Sequence, residues 1–341
     1  MAKRDLVAIG ASAGGLEALQ SLLGALPADF DAAVLVVLHT SKHAGSLIPQ
    51  ILQRAGKLPV LEPEDGTVIE KGRVYVAPPD FHMIVEGDEL RVVQGPRENL
   101  HRPAIDPLFR SVAASYGQRA IGVILTGLLD DGTSGLMIVR AEKGEAVIQD
   151  PDSAMFSAMP RSALDQVPDA YVLPLIEIPD LLVRLVAQDL PEREQAKTIQ
   201  SYDAGKETRI SELNMSEIEN EDRLGRPSAF GCPDCGGVLW EIEQDGFLRF
   251  RCRVGHAYTA RHLDAEQRHA IETALWAALR ALEESSSLYR RIAERAENAN
   301  QGRAAEQFQN RASNTDENAR TLRDFLLTVN RVEDERAHPG E

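Results

Sequence analysis

The 341-residue sequence has few cysteines, few aromatic residues and no excess of basic residues. No stretch approaches the roughly 20 consecutive apolar residues of a membrane-spanning helix, so we expect no membrane insertion. Lys and Arg number 37 against 53 Asp and Glu, and the net charge of −16 argues against nucleic acid as a partner, because phosphate contacts need clustered cations. The opening Met-Ala-Lys-Arg-Asp leads directly into an apolar run, which leaves no room for a signal peptide and predicts a cytoplasmic protein.

The three cysteines lie in one short window. Cys232, Cys235, Cys252 and His256 have the spacing C-x2-C-x16-C-x3-H, which is typical of a tetrahedral zinc site. An odd number of cysteines without a secretory signal argues against disulfides. A metal held by four protein ligands would be structural, and so small a module would need it to fold. Three reduced cysteines without a metal are the plainer alternative, and His262 is a second candidate for the fourth ligand.

Residues 5–15 predict a strand, a tight turn of small residues and a helix. Within them, Gly10-Ala11-Ser12-Ala13-Gly14 fits the nucleophile elbow G-x-S-x-G, which presents a serine hydroxyl at a helix N-terminus. A simple anion-binding loop is one alternative. Another is an altered dinucleotide-binding loop, although that motif needs an acidic residue after the next strand, where this sequence has His39-Thr40.

Two further predicted strand ends carry groups that could complete a catalytic triad. His39 follows the second strand, and neighbouring parallel strands would bring its imidazole to Ser12 as a base. Asp130 and Asp131 follow the apolar run 121–125, where one carboxylate could orient the imidazole. Either aspartate could instead cap the helix that begins near Thr133. The order Ser, His, Asp differs from that of the α/β-hydrolases.

The pattern of strands, helices and polar segments divides the chain into five regions. We predict an α/β domain with a doubly wound, mainly parallel sheet, then a polar linker, a small zinc-ribbon-like module, a C-terminal helical hairpin and a tail. The hairpin could pack on the ribbon, bind a partner or form a homo-oligomer. The corresponding boundaries are 1–190, 191–228, 229–259, 260–332 and 333–341.

Residues 5–188 resemble the catalytic domain of the chemotaxis protein-glutamate methylesterases (CheB type). Six blocks in the same order carry the resemblance: Ile9-Gly-Ala-Ser-Ala-Gly-Gly15; Leu38-His39; Val74-Tyr-Val-Ala-Pro-Pro-Asp80 with His82-Met83; His101-Arg-Pro-Ala-Ile-Asp-Pro-Leu-Phe109; Leu125-Thr-Gly127 with Asp131-Gly132; and Gln149-Asp150 with Met159-Pro160.

The resemblance implies that Ser12 is the nucleophile, His39 the base and Asp131 the orienting acid. The implied reaction hydrolyses a glutamyl methyl ester on a chemoreceptor, or deamidates a receptor glutamine, without a catalytic cofactor. The methylated cytoplasmic domain of a chemoreceptor, or a related signalling protein, is the implied partner.

The oxyanion and the substrate have three candidate contacts, namely the Ala13 amide, Leu128 and Arg102. The family often has Thr where this sequence has Ala13, and its Thr-Gly-Met-Gly loop reads Thr-Gly-Leu-Leu over residues 126–129. These differences concern substrate fit rather than the triad. His101, Arg102 and Asp106 are candidates to line the substrate groove. The segment could instead be a turn that starts the next helix, with Asp106 as its cap.

Typical family members also carry an N-terminal phospho-receiver domain that this sequence does not contain. The resemblance therefore implies an activity that is constitutive or under other control. A non-catalytic signalling adaptor built on a methylesterase-like domain is the alternative function.

Overall fold

The computed structural model describes residues 2–40, 47–190, 204–212 and 225–337. It divides into two compact units, Met1–Leu263 and Asp264–Glu341. Residues 191–203 and 213–224 of the predicted linker, and residues 338–341 of the predicted tail, lie outside the described residues. No helix within the described ranges combines the length and the apolar character needed to cross a membrane.

The described part of the first unit contains fourteen strands. These are β1 (Leu6–Ala11), β2 (Ala33–Leu38), β3 (Val60–Leu61), β4 (Thr67–Val68), β5 (Val74–Val76), β6 (His82–Glu86), β7 (Glu89–Val93), β8 (Ala120–Ile124), β9 (Glu145–Gln149), β10 (Tyr171–Leu173), β11 (Arg226–Gly231), β12 (Val238–Gln244), β13 (Phe247–Cys252) and β14 (Ala257–Thr259).

Nine α-helices are described. They are α1 (Gly15–Ala25), α2 (Ile48–Ala55), α3 (Ile105–Tyr116), α4 (Thr133–Ala141), α5 (Ala158–Gln166), α6 (Ile178–Ala187), α7 (Ala204–Ser211), α8 (Ala260–Asn298) and α9 (Gly302–Ala337).

A parallel sheet of seven strands forms the centre of the first unit, in the order β10-β9-β8-β1-β2-β5-β3. Its central strands are continuous apolar runs because both of their faces are buried. One face packs against α1, α2 and α6, and the other against α3, α4 and α5. This arrangement confirms the predicted doubly wound α/β fold.

Two smaller antiparallel sheets accompany the parallel one. The strands β6 and β7 form a hairpin around Glu86-Gly87-Asp88, and β4 joins it at one edge. The strands β11 to β14 form a four-stranded sheet in chain order, which we call the C-terminal sheet. Two of its strands, β12 and β13, form an antiparallel hairpin around the Asp245-Gly246 turn. Its classification as a zinc ribbon stays a prediction.

Helix α7 lies inside the segment whose polar composition predicts a linker. Its sequence lacks the stripe of apolar residues by which a helix usually packs on a domain, yet the polar side chains of Glu207 and Ser211 are completely buried. Glu207 accepts hydrogen bonds from Arg249 and Arg251 of β13, and Ser211 bonds to Arg110 of α3. Burial of these polar groups therefore depends on charged partners in distant parts of the sequence.

The second unit is an antiparallel helical hairpin made by α8 and α9, as the apolar spacing predicts. Leu279 of α8 packs against Ala319 and Leu326 of α9. Closer to the turn, Ser286 donates a hydrogen bond of 2.6 Å to Asp316.

Candidate active site

The register of the parallel sheet brings the first two site residues together. Ala11 of β1 lies opposite Leu38 of β2, so Ser12 and His39 both leave the sheet at the same edge. The His39 amide donates to the Ala11 carbonyl at 3.1 Å, and the Ser12 amide donates to the Thr126 carbonyl at 3.0 Å. The ends of three neighbouring strands are thus joined directly by backbone hydrogen bonds.

Two glycines make the turn around Ser12 possible. A Cβ atom on Gly10 would lie only 2.4 Å from Cγ2 of Ile105, so a larger residue would displace α3. Gly14 has φ 68°, in the left-handed region that residues with a Cβ atom rarely adopt. These constraints explain why small residues surround the serine in the sequence.

Ser12, His39 and Asp131 form a continuous hydrogen-bonded chain. The distance from His39 Nδ1 to Ser12 Oγ is 3.1 Å, and that from His39 Nε2 to Asp131 Oδ2 is 2.8 Å. Because a carboxylate only accepts, Nε2 carries the proton of the neutral imidazole and Nδ1 is left as the acceptor facing the serine. Ser12 is partly exposed, whereas Asp131 is completely buried.

The buried Asp131 carboxylate is held by four donors. Besides His39, these are the Ile105 amide at 2.6 Å, the Asn99 side chain at 2.7 Å and the Asp106 amide at 3.3 Å. Burial alone would raise the pKa of Asp131, but the hydrogen bond and charge of His39, with the Ile105 and Asn99 bonds, bring the pKa below its ordinary value. The group is therefore kept ionised beside the imidazole.

The two neighbouring aspartates have different surroundings. Asp130 contacts Thr259 at 2.6 Å and His262 at 2.8 Å, through the same carboxylate oxygen. Helix α4 begins after Gly132, and neither aspartate side chain is its N-terminal cap. The prediction that one of the pair caps this helix is wrong, because both carboxylates have buried partners elsewhere.

His101 and Asn99 are further parts of this cluster. The His101 ring stacks on His39, with the ring centroids 3.6 Å apart and the planes at 13°. Burial, followed by the neighbouring His39, lowers the pKa of His101 to about 3 and so keeps it neutral. Sequence reasoning placed His101 near a substrate groove, and it missed Asn99, which belongs to no motif.

Asp106 adds a second buried carboxyl next to Asp131. It accepts hydrogen bonds from the Gly135 amide at 2.7 Å and from the Asn99 side chain at 2.8 Å. Burial, together with the charge of Asp131, raises the pKa of Asp106 to about 7. Asp106 lies inside α3, whose N-terminal cap is Ala104, so the alternative role of Asp106 as a helix cap is wrong.

The predicted substrate contacts lie at or near the rim of this site. Leu128 is 54% exposed, and Met155, which covers Gly14, is 68% exposed. The guanidinium of Arg102 donates to Asp80 and to the Gly95 carbonyl. Roles for Ala13, Leu128 and Arg102 in substrate or oxyanion binding stay predictions.

The predicted metal ligands form a separate cluster in the C-terminal sheet. The ligand atoms of Cys232, Cys235, Cys252 and His256 all lie within 4.8 Å of one another. His262, the second candidate for the fourth ligand, lies instead beside Asp130. The donor set is compatible with a structural zinc ion.

Comparison with known proteins assigns the first part of the chain. The family described as CheB methylesterase matches residues 7–182, just over half of the chain. A protein-glutamate methylesterase/protein-glutamine glutaminase from Paramagnetospirillum magneticum is 38% identical over 189 residues, which are 54% of this chain and 50% of the relative. A relative from Leptospira interrogans is 37% identical over 190 residues, which are 55% of this chain and 98% of the relative.

The fold gives the same assignment. The crystal structure of the catalytic domain of CheB methylesterase from Thermotoga maritima matches with a TM-score of 0.51 and 32% sequence identity, and the match covers 55% of this chain and all of the other. None of these matches extends over the whole chain, and the family match ends before the C-terminal sheet. Over its parallel-sheet domain, the chain belongs to the CheB methylesterase family.

Proposed function

We propose that this protein hydrolyses protein-glutamate methyl esters with Ser12 as nucleophile, His39 as general base and Asp131 as the acid that orients the imidazole. The observation that carries the proposal is the hydrogen-bonded chain of 3.1 Å and 2.8 Å that joins these residues at the carboxyl edge of the parallel sheet. An acceptor nitrogen facing a partly exposed serine hydroxyl is the arrangement that nucleophilic acyl transfer requires.

In the proposed mechanism each of the three residues has one task. Nδ1 of His39 takes the Ser12 proton as Oγ attacks the ester carbonyl, and Asp131 stabilises the resulting imidazolium. The Ala13 amide, next to the N-terminus of α1, is the proposed donor to the tetrahedral oxyanion. His39 then returns the proton to the departing methanol. A water molecule, deprotonated by His39, attacks the acyl-enzyme, and His39 returns that proton to Ser12 Oγ as the carboxylic acid departs and ionises. With a glutamine side chain the first leaving group would be ammonia instead of methanol.

The proposed substrate is a methylated glutamate side chain on the cytoplasmic domain of a chemoreceptor. Relatives named protein-glutamate methylesterase/protein-glutamine glutaminase support this substrate class. The exposed apolar side chains of Leu128 and Met155 beside Ser12 also suit a folded protein surface rather than a small polar molecule.

The test is methanol release from a methylated receptor fragment by the purified full chain. We expect the wild type to release methanol and Ser12→Ala to reduce the rate to background. Ser115→Ala is the matched control, because this serine lies on α3 and its hydroxyl donates to the Val85 carbonyl of β6 rather than to a residue of the triad. A folded wild type without methanol release would refute the proposal.

We also propose that Cys232, Cys235, Cys252 and His256 hold a structural zinc ion. In a tetrahedral site with Zn–S of about 2.3 Å and Zn–N of about 2.0–2.1 Å, two sulfurs lie about 3.8 Å apart and a sulfur and a nitrogen about 3.5–3.6 Å apart. The distance from Cys235 Sγ to Cys252 Sγ is 3.7 Å, and His256 Nδ1 lies 3.6 Å from Cys232 Sγ and 3.5 Å from Cys252 Sγ. Zinc bound there would hold together the turn between β11 and β12 and the turn between β13 and β14. It would take no part in ester hydrolysis.

Metal analysis of the purified protein tests this second proposal. We expect one zinc ion per chain in the wild type and loss of that zinc in Cys235→Ser. A protein purified with zinc in the medium but free of bound metal would contradict it.

A further inference from the structure

The segment 97–101, which we call the bracing loop, lies between the methylesterase domain and the C-terminal sheet. Its backbone pairs with β14, since the Asn99 amide donates to the Ala257 carbonyl at 2.8 Å and the Ala257 amide donates to the Arg97 carbonyl at 3.2 Å. Asn99 and Leu100 have φ values of 50° and 69°, in the left-handed region that is unfavourable for such residues. This backbone conformation therefore depends on the surroundings that hold it.

The bracing loop is also fixed by charge. Glu98 is completely buried and accepts hydrogen bonds from Arg110 of α3 at 2.7 Å and 2.9 Å. The same carboxylate accepts a bond of 3.0 Å from Arg251 of β13. One side chain of the loop thus joins the catalytic domain to the C-terminal sheet.

The next residue of the loop, Asn99, connects β14 to the triad. Its Oδ1 accepts the Thr259 amide at 2.9 Å, while its Nδ2 donates to Asp131 at 2.7 Å and to Asp106 at 2.8 Å. A side-chain amide has one carbonyl oxygen and two N–H donors, and all three groups have partners here. Because the Thr259 amide can only donate, it fixes which end of the Asn99 side chain faces the carboxylates.

A second route runs through Asp130, the neighbour of Asp131. The Thr259 hydroxyl donates to Asp130 Oδ1 at 2.6 Å, and His262 Nδ1 lies 2.8 Å from the same oxygen. Thr259 Oγ1 also accepts the His262 amide at 3.2 Å, as the N-terminal cap of α8. The buried His262 ring meets the edge of His101, which stacks on the base of the triad.

We propose that Thr259 and His262 are positioning residues for the Ser12–His39–Asp131 triad, acting through Asn99, Asp130 and His101. The inference rests on the proposed esterase function. Both residues lie beyond residues 7–182, so this chain completes the support of its active site with a segment that the family match does not include. The opposing possibility is that these contacts only attach the C-terminal sheet, in which case their loss would change stability but not turnover.

The test uses steady-state kinetics of methanol release by the full chain. Thr259→Val keeps the shape of the side chain but removes the hydroxyl, and His262→Phe keeps a ring next to His101 but removes Nδ1. We expect kcat to fall on the order of 10-fold in each, with KM changed less than about twofold, because small displacements of catalytic groups slow the chemistry more than binding. Thr259→Ser, which retains the hydroxyl, should restore most of kcat.

Ser228→Ala is the matched control within the C-terminal sheet, because its hydroxyl donates to the Leu239 carbonyl and accepts the Phe230 amide, so that both partners belong to the sheet itself. The concentration of competent enzyme is measured by titrating Ser12 with a fluorophosphonate, so that a misfolded fraction does not lower kcat. An unchanged kcat in both Thr259→Val and His262→Phe would overturn the inference. It would also be overturned if Thr259→Ser and Ser228→Ala lowered kcat as much as Thr259→Val does. A wild type that releases no methanol would instead overturn the proposed function itself.

Discussion

The described part of the first unit contains two buried polar clusters that differ in the charge of most of their members. The carboxylate cluster consists of Asp106, Asp130 and Asp131 beside His39, and the arginine cluster consists of Arg110, Arg249 and Arg251 with Glu98 and Glu207. The two meet at consecutive residues of the bracing loop, because Glu98 belongs to the arginine cluster and Asn99 bonds to the carboxylate cluster.

The clusters differ in how the sequence brings them together. The proposed triad, whose aspartate belongs to the carboxylate cluster, comes from loops that follow three neighbouring strands, so the order of a parallel sheet is enough to bring its residues together. The arginine cluster joins α3, α7 and β13, and nothing in a local pattern relates these elements. We infer that the first cluster serves chemistry, whereas the second serves to attach the C-terminal sheet and α7 to the catalytic domain.

The largest expected effect would separate the two clusters by activity. Asp131→Asn places an N–H group opposite His39 Nε2, which favours the tautomer with the proton on Nδ1, where it can no longer accept the Ser12 proton. We expect kcat for methanol release to fall on the order of 10⁴-fold, with the protein still folded by circular dichroism. A loss below 10-fold would show that the carboxylate does not orient the base.

A second variant tests the attachment role of the arginine cluster. Glu207 accepts bonds of 2.7 Å from Arg249 and 2.8 Å from Arg251, and its side chain is completely buried. Glu207→Gln leaves Glu98 as the remaining carboxylate of the cluster against three arginines. Because removing one partner of a buried ion pair typically costs about 3–5 kcal/mol, we expect the free energy of unfolding to fall by about that amount. Denaturant unfolding followed by the fluorescence of Trp240, in a Trp276→Phe background that removes the second tryptophan, would measure this loss of stability.

The matched control for this variant is Glu241→Gln in the same sheet. Glu241 pairs with Arg226 near the surface, where the Arg226 side chain is largely exposed and that of Glu241 is partly exposed, so water solvates the pair. We expect almost no change in its unfolding midpoint. Equal effects in the two variants would contradict the distinction between the buried cluster and the surface pair.

The sequence predicted the part of the site that follows from strand order. Ser12, His39 and Asp131 each stand at or shortly after the end of an apolar strand, and the glycines around Ser12 indicate a tight turn. The polar segment that contains α7 gave no helix signal, because its burial depends on arginines that lie about 40 residues further along the chain. Asn99 and Thr259 were missed for a similar reason: a backbone amide and a side-chain amide meet only once β14 pairs with the bracing loop.

The smallest expected effect concerns the pH dependence of stability within the carboxylate cluster. The ordinary pKa of the Asp106 carboxyl is 3.8, and in the folded chain it is about 7, raised first by burial and then by the charge of Asp131. Between about pH 4 and pH 7 the unfolded chain has lost this proton while the folded chain keeps it. Asp106 therefore makes the folded state less stable as the pH rises through this range, and the loss is complete above pH 7.

Asp131 has the opposite sign and a different window. Its folded pKa is lowered, so its stabilising contribution is complete above about pH 4 and disappears as the pH falls further. Comparing wild type with Asp106→Asn at pH 5 and pH 8 isolates Asp106, because the remaining groups are common to both proteins. We expect denaturant unfolding to show the variant gaining about 1–3 kcal/mol on the wild type between these pH values. An unchanged difference would contradict a folded pKa between these two pH values, because Asp106 would then keep one protonation state throughout.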